Sequence, residues 1–134
     1  VSVNKDEFII EPLKNAAARF ADFYSRSSID DDLTRSGVIK AFEYTYELSW
    51  KTLRKVLIVC GHNEARSMTA KSIFREAAVR GLIDDAELWF KFIDKRNLTV
   101  HTYKEEVAIE VYDYMDEFRD EIVKLIPRIE AALK

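Results

Sequence analysis

The 134-residue chain holds three glycines and two prolines, too few for the corners of a turn-rich sandwich or barrel, while 48% hydrophobic and 34% charged residues supply core and surface for one water-soluble domain. A net charge of −3 excludes a globally basic nucleic-acid binder, though not a local basic patch, and the single cysteine excludes an internal disulfide or a multi-cysteine zinc site. No apolar run reaches the length of a membrane span and the first residues lack a signal-peptide pattern, so a cytoplasmic protein with one domain over residues 1–134 and no membrane contact is expected.

Leu13, Ala17, Phe20 and Tyr24 recur at helical spacing, and Pro12 is favourable at a first helical position, so the first helix is predicted to start there. Asn4 with Glu7 offers a cap for an extra turn ahead of it. After a polar loop over residues 25–32, Ile39, Phe42, Tyr46, Trp50, Leu53 and Leu57 form one stripe of a long second helix that Gly61 stops. Ser67 is a plausible N-cap for a short helix ending at Gly81. Asp84 followed by Glu87 resembles a capping box for a helix carrying Leu88, Trp89, Phe92 and Ile93. Val107, Val111, Tyr114, Phe118, Ile122, Leu125 and Ile129 predict a long last helix, which Pro127 kinks or ends. The pattern predicts an all-α, up-and-down four-helix bundle with an additional short helix.

The stretch Arg96-Asn97-Leu98-Thr99-Val100-His101-Thr102-Tyr103 is the most informative. Arg96 extends the stripe of Trp89, Phe92 and Ile93, where a guanidinium needs an anionic partner or a solvent-filled cleft. Thr102 with Glu105 looks like a capping box, which sets His101 just ahead of a helix N-terminus, a place that favours anions and a neutral imidazole. A neutral imidazole beside a guanidinium can take the proton of a ribose 2′-hydroxyl while the cation neutralises charge growing on the phosphate. The plainer alternative is that Arg96 pairs with a carboxylate and His101 packs at a helix junction. On a continuous helix the two would splay by about 140°, so a two-fold homodimer with both copies of His101 facing one cleft is expected.

Charge is unevenly spread. Residues 51–80 hold seven Lys or Arg against two Glu, and residues 104–121 hold eight acids against Lys104 and Arg119. This suits a basic surface for RNA or nucleotide and an acidic one for a protein partner, or two ordinary solvated faces. Cys60 reads as a small buried filler, and His62 has no second ligand at metal spacing. Phe42, Tyr46 and Trp50 read as core, and Glu43, Glu47 and Lys51 as surface pairing. No cofactor and no metal site are expected.

Phe42-Glu43-Tyr44-Thr45-Tyr46-Glu47-Leu48-Ser49-Trp50-Lys51-Thr52-Leu53 resembles the second-helix motif of the nucleotidyltransferase substrate-binding proteins. Arg75-Glu76-Ala77, Gly81-Leu82-Ile83 and the Arg96–Tyr103 stretch resemble the same family in the same order, most densely over residues 38–108. The family lies in the HEPN superfamily, so the resemblance implies a HEPN-like bundle, a homodimer, and a minimal nucleotidyltransferase as partner. It implies one of two roles. In the first, the chain is a metal-independent ribonuclease toxin that its antitoxin-like partner silences by adenylylation. In the second, it is a non-catalytic substrate-binding subunit of a two-component nucleotidyltransferase. By the same resemblance Arg96 and His101 map onto the nuclease pair, Asn97 onto the auxiliary polar residue, and Tyr103 onto the tyrosine that the partner modifies.

Overall fold

A computed structural model describes residues 5–134, with side chains from residue 8 onward. Every regular element in it is helical: α1 (Lys5–Ser25), α2 (Asp32–Val59), α3 (Ala70–Val79), α4 (Ala86–Leu98), α5 (Glu105–Tyr112) and α6 (Met115–Ala132), with 3₁₀ turns at Asn63–Ser67 and Thr99–His101. The bundle consists of α1, α2, α4 and the α5–α6 arm, and α3 is the additional short helix packed on α2 and α4. The long α2 is the central element, touching every other helix.

The predicted stripe of α2 is buried, with Phe42 and Leu53 fully enclosed, except for Trp50, which is half-buried rather than core; Cys60 at the end of the helix is exposed rather than a buried filler. Four aromatic rings from four helices lock the core. Phe118 of α6 meets Phe20 of α1, Phe42 of α2 and Phe92 of α4 edge-on, at centroid distances of 5.2, 4.8 and 5.2 Å. Such edge-to-face contacts set the positive ring edge against the negative face and add to the burial of the rings themselves. Trp89 stacks on Phe74 at 4.9 Å and donates its indole N–H to the buried carboxylate of Glu121 at 3.3 Å.

Several element boundaries differ from the sequence expectation. Helix α1 starts before Pro12 and runs through it, because the proline is on the exposed face while Ile10 and Leu13 on either side are buried. The Asn4–Glu7 cap lies outside the described residues. Gly61 and Gly81 do adopt left-handed backbone, with φ of 98° and 75°. The N-cap of α3 is Thr69, whose hydroxyl accepts the Ser72 N–H at 3.2 Å. Ser67 instead closes the preceding 3₁₀ turn with a bond to the Glu64 carbonyl. Asp85, not Asp84, caps α4, accepting the Glu87 N–H at 2.9 Å. Asp84 is held by Arg128 of α6 at 2.8 Å. The last helix is two: it breaks at Asp113–Tyr114, where Tyr112 bonds Ser27 beside α1 and Tyr114 lies under Lys95 of α4. Pro127 neither ends nor replaces a turn of α6, since it is exposed while Leu125 and Ile129 anchor the helix in the core.

Candidate functional site

Arg96 is in the last turn of α4, and the 3₁₀ turn Thr99–His101 continues directly from it. The guanidinium is fixed from two sides. Its Nη1 donates to the Thr99 hydroxyl at 3.2 Å, and that hydroxyl donates to the Arg96 carbonyl at 2.7 Å. Its Nε faces Glu47 Oε1 of α2 at 3.7 Å, beyond hydrogen-bond reach, and is buried with no other partner. The Glu47 carboxylate is itself oriented by the Trp50 indole N–H, at 3.2 Å from Oε2. Both charged side chains are about one-third exposed, so the pair borders solvent rather than the core. Behind it, burial pushes the Tyr46 phenol well above its usual range; Glu47 adds to that shift and Arg96 opposes it.

His101 is exposed on the 3₁₀ turn, its ring 6.1 Å from that of Tyr103 and nearly perpendicular to it. The expected capping box is absent. Thr102 stays in right-handed helical backbone, and its hydroxyl donates back to the Thr99 carbonyl at 3.0 Å. An N-cap needs extended backbone, and the extended residue is Lys104, which caps α5 without a side-chain bond. His101 is therefore three residues short of the α5 cap, at the end of α4's continuation. Tightening to about 120° per residue in the 3₁₀ turn leaves Arg96 and His101 roughly 160° apart about an ideal axis, no closer than on a plain helix.

Tyr103 is 77% exposed. It borders a cleft of about 270 Å³ at the start of α2, together with Asp32, Arg35, Thr102 and Glu105, a lining that does not include Arg96. Arg35 is fully buried there, donating to the Ile29 carbonyl and to Asp32 at 3.1 Å. Asn97 is exposed on the outer face of α4. Glu47 and Thr99 are the site residues that sequence reasoning passed over. Glu47 does pair with Lys51 as expected, at 3.8 Å, and only its one-turn spacing from Trp50 hinted that it would also face Arg96. Among the described residues, no group of three or more His, Cys, Asp or Glu could hold a metal ion, and no helix is long and apolar enough to cross a membrane.

An all-helical bundle that carries an arginine, a tight turn and an exposed histidine and tyrosine at one end is the class these observations define. The family described as "Nucleotidyltransferase substrate binding protein like" matches residues 9–131, and the chain belongs to it. A "Probable ribonuclease HepT" of Haemophilus influenzae is 39% identical over 98 residues, which span 72% of this chain and 67% of that protein. Two solved structures share the fold. A Thermus thermophilus protein aligns with a TM-score of 0.77 at 26% identity, over 87% of this chain and 98% of its own. A Haemophilus influenzae protein, described as having the fold of a substrate binding domain of a nucleotidyltransferase, aligns with a TM-score of 0.70 at 30% identity, over 96% of this chain and 99% of its own.

Proposed function

We propose that this chain is a HEPN-type, metal-independent endoribonuclease that a minimal nucleotidyltransferase partner silences by adenylylating Tyr103. The observation that carries the reading is the Arg96 guanidinium, steadied by Thr99 and Glu47 at the base of a turn that presents His101 to solvent. The His101 imidazole takes the proton from a ribose 2′-hydroxyl, and the 2′-oxygen attacks the adjacent phosphorus. The bond to the 5′-oxygen breaks and that oxygen takes a proton from water or the imidazolium, giving a 2′,3′-cyclic phosphate and a 5′-hydroxyl end. Arg96 offsets the extra negative charge on the phosphoryl oxygens, and Asn97 beside it supplies a further polar contact. The angular separation of Arg96 and His101 favours a homodimer in which the two copies of the turn share one cleft. The relative named as a probable ribonuclease supports the same reading.

The Tyr103 phenolic oxygen attacks the α-phosphorus of ATP, pyrophosphate leaves, and the phenol proton goes to solvent or a base of the partner. The exposure of Tyr103 makes it reachable. The second reading, a non-catalytic subunit that presents substrate to a nucleotidyltransferase, is favoured by the family's own description and by the net acidic charge. One experiment separates them: RNA cleavage in EDTA by the free protein, by His101→Ala and Arg96→Ala, and by protein co-expressed with the nucleotidyltransferase. The ribonuclease reading expects cleavage only by the unmodified wild-type protein, and adenylyl mass on Tyr103 after co-expression. A free protein that never cuts RNA, with a tightly bound partner and unmodified Tyr103, would establish the substrate-binding reading.

A further inference from the structure

Arg54, Lys55, Arg66, Lys71, Arg75 and Lys91 make no ion pair with a carboxylate among the described residues, although the chain as a whole is acidic. All six belong to the second half of α2, the turn after it, α3 and α4. Four cations of this flank rest on two half-buried rings. Arg54 and Lys51 stand over Trp50 at 5.0 and 5.9 Å, and Lys71 and Arg75 stand over Phe90 at 4.7 and 5.3 Å. An exposed cation–π contact is a weak hold, so Arg54, Lys71 and Arg75, which have no carboxylate partner, remain available to an anion, whereas Lys51 also pairs with Glu47 at 3.8 Å.

Both rings connect to the candidate site. Trp50 bonds the Glu47 carboxylate that faces Arg96, and Arg54 stands seven residues, about 10 Å, further along α2. Phe90 and Asn97 are also seven residues apart, so they share one face of α4 within about 20°. Two rows of cation and aromatic ring therefore lead away from Arg96 and Asn97. Alternating cations and stacking platforms are what a single-stranded nucleic acid requires: phosphates meet the cations, and a base can take a cation's place on a ring. The Tyr103 end is mixed in charge: Asp32 and Glu105 line its cleft, Asp32 is paired with the buried Arg35, and Lys104 stands over the Tyr103 ring at 5.9 Å.

We infer that the Trp50–Arg54 and Phe90–Arg75 rows are the track on which single-stranded RNA lies as it enters the Arg96–His101 site. The inference rests on the ribonuclease reading and adds the path of the substrate to it. The test is fluorescence anisotropy of a labelled RNA, single-stranded, of mixed sequence and about 20 nucleotides long, enough to span more than one such binding site. His101→Ala serves as the non-cleaving background, over a series of salt concentrations. Arg54→Gln and Arg75→Gln should each weaken binding and lower the slope of log K against log salt by about 0.7. Trp50→Leu should weaken binding about tenfold, as the loss of one stacking platform does. RNA should quench Trp50 emission, leaving the buried Trp89 as the unresponsive remainder. Lys14→Gln, on the α1–α6 side, should change nothing, and thermal melts should show every variant folded. Unchanged slopes for both arginine variants, with wild-type cleavage intact, would overturn the track while the ribonuclease reading survives. Variants that lose the nucleotidyltransferase yet bind RNA normally would assign the rows to the protein partner instead. A wild-type protein that neither binds nor cuts RNA would overturn the ribonuclease reading itself.

Discussion

Glu47 holds the nearest carboxylate to Arg96, and neutralising it tests how the guanidinium is shared between the protein and an incoming phosphate. At 3.7 Å and an effective dielectric of about 20, a full charge pair is worth about 4.5 kcal/mol. Both partners are about one-third exposed, and solvent screening brings such a pair down to about 1 kcal/mol. Glu47→Gln removes the charge that competes with phosphate and leaves one acceptor oxygen, which can face Arg96 or accept from Trp50 but not both. The expected outcome is about a fivefold tighter KM for RNA, the equivalent of that 1 kcal/mol, with kcat changed less than about threefold. Glu47→Ala also removes the nearest acceptor from the buried Nε, freeing the guanidinium to turn, so kcat should fall. The assay is initial-rate cleavage of a fluorophore–quencher RNA in EDTA at two salt concentrations, with the KM gain shrinking at the higher one. A Glu47→Gln protein whose kcat falls about tenfold at unchanged KM would refute the reasoning, because the charge itself would then be needed for turnover.

Phe118→Ala removes the ring shared by α1, α2 and α4 and should destabilise the fold by about 4 kcal/mol, lowering the melting temperature by about 10–15 °C in circular dichroism. The Arg128 guanidinium holds the Asp84 carboxyl below its ordinary range. A lowered folded-state pKa stabilises above the unfolded value and is lost as pH falls through the folded one. Thermal melts should therefore show Asp84→Asn with a shallower loss of stability than wild type below about pH 4, and a small effect at about pH 7 because the pair is exposed. Light scattering at micromolar concentration should give twice the chain mass; a monomer alone would contradict the shared-cleft arrangement.

The helices of the core were legible from the sequence because burial follows a 3.6-residue period, and the stripes of α2 and α4 and the glycine stops needed nothing beyond it. Arg96 stood out for the same reason, as a charge on an apolar stripe. Tertiary structure decided the rest where two local choices were nearly equal. Asp84 and Asp85 both offer a capping oxygen, and Arg128, forty-four residues away, claims the first and leaves the second for α4. Pro12 and Pro127 each remove one backbone bond on an exposed face, a local loss that buried Leu13 and Ile129 outweigh only once the bundle has formed. Thr102 has the side chain of a cap but not the backbone, because the turn that closes after Arg96 keeps it helical. The partner of Arg96 is on another helix, forty-nine residues back in the chain. Local pattern reports which face of a helix is apolar; which charged group meets which depends on how the helices pack, and that is a property of the folded chain alone.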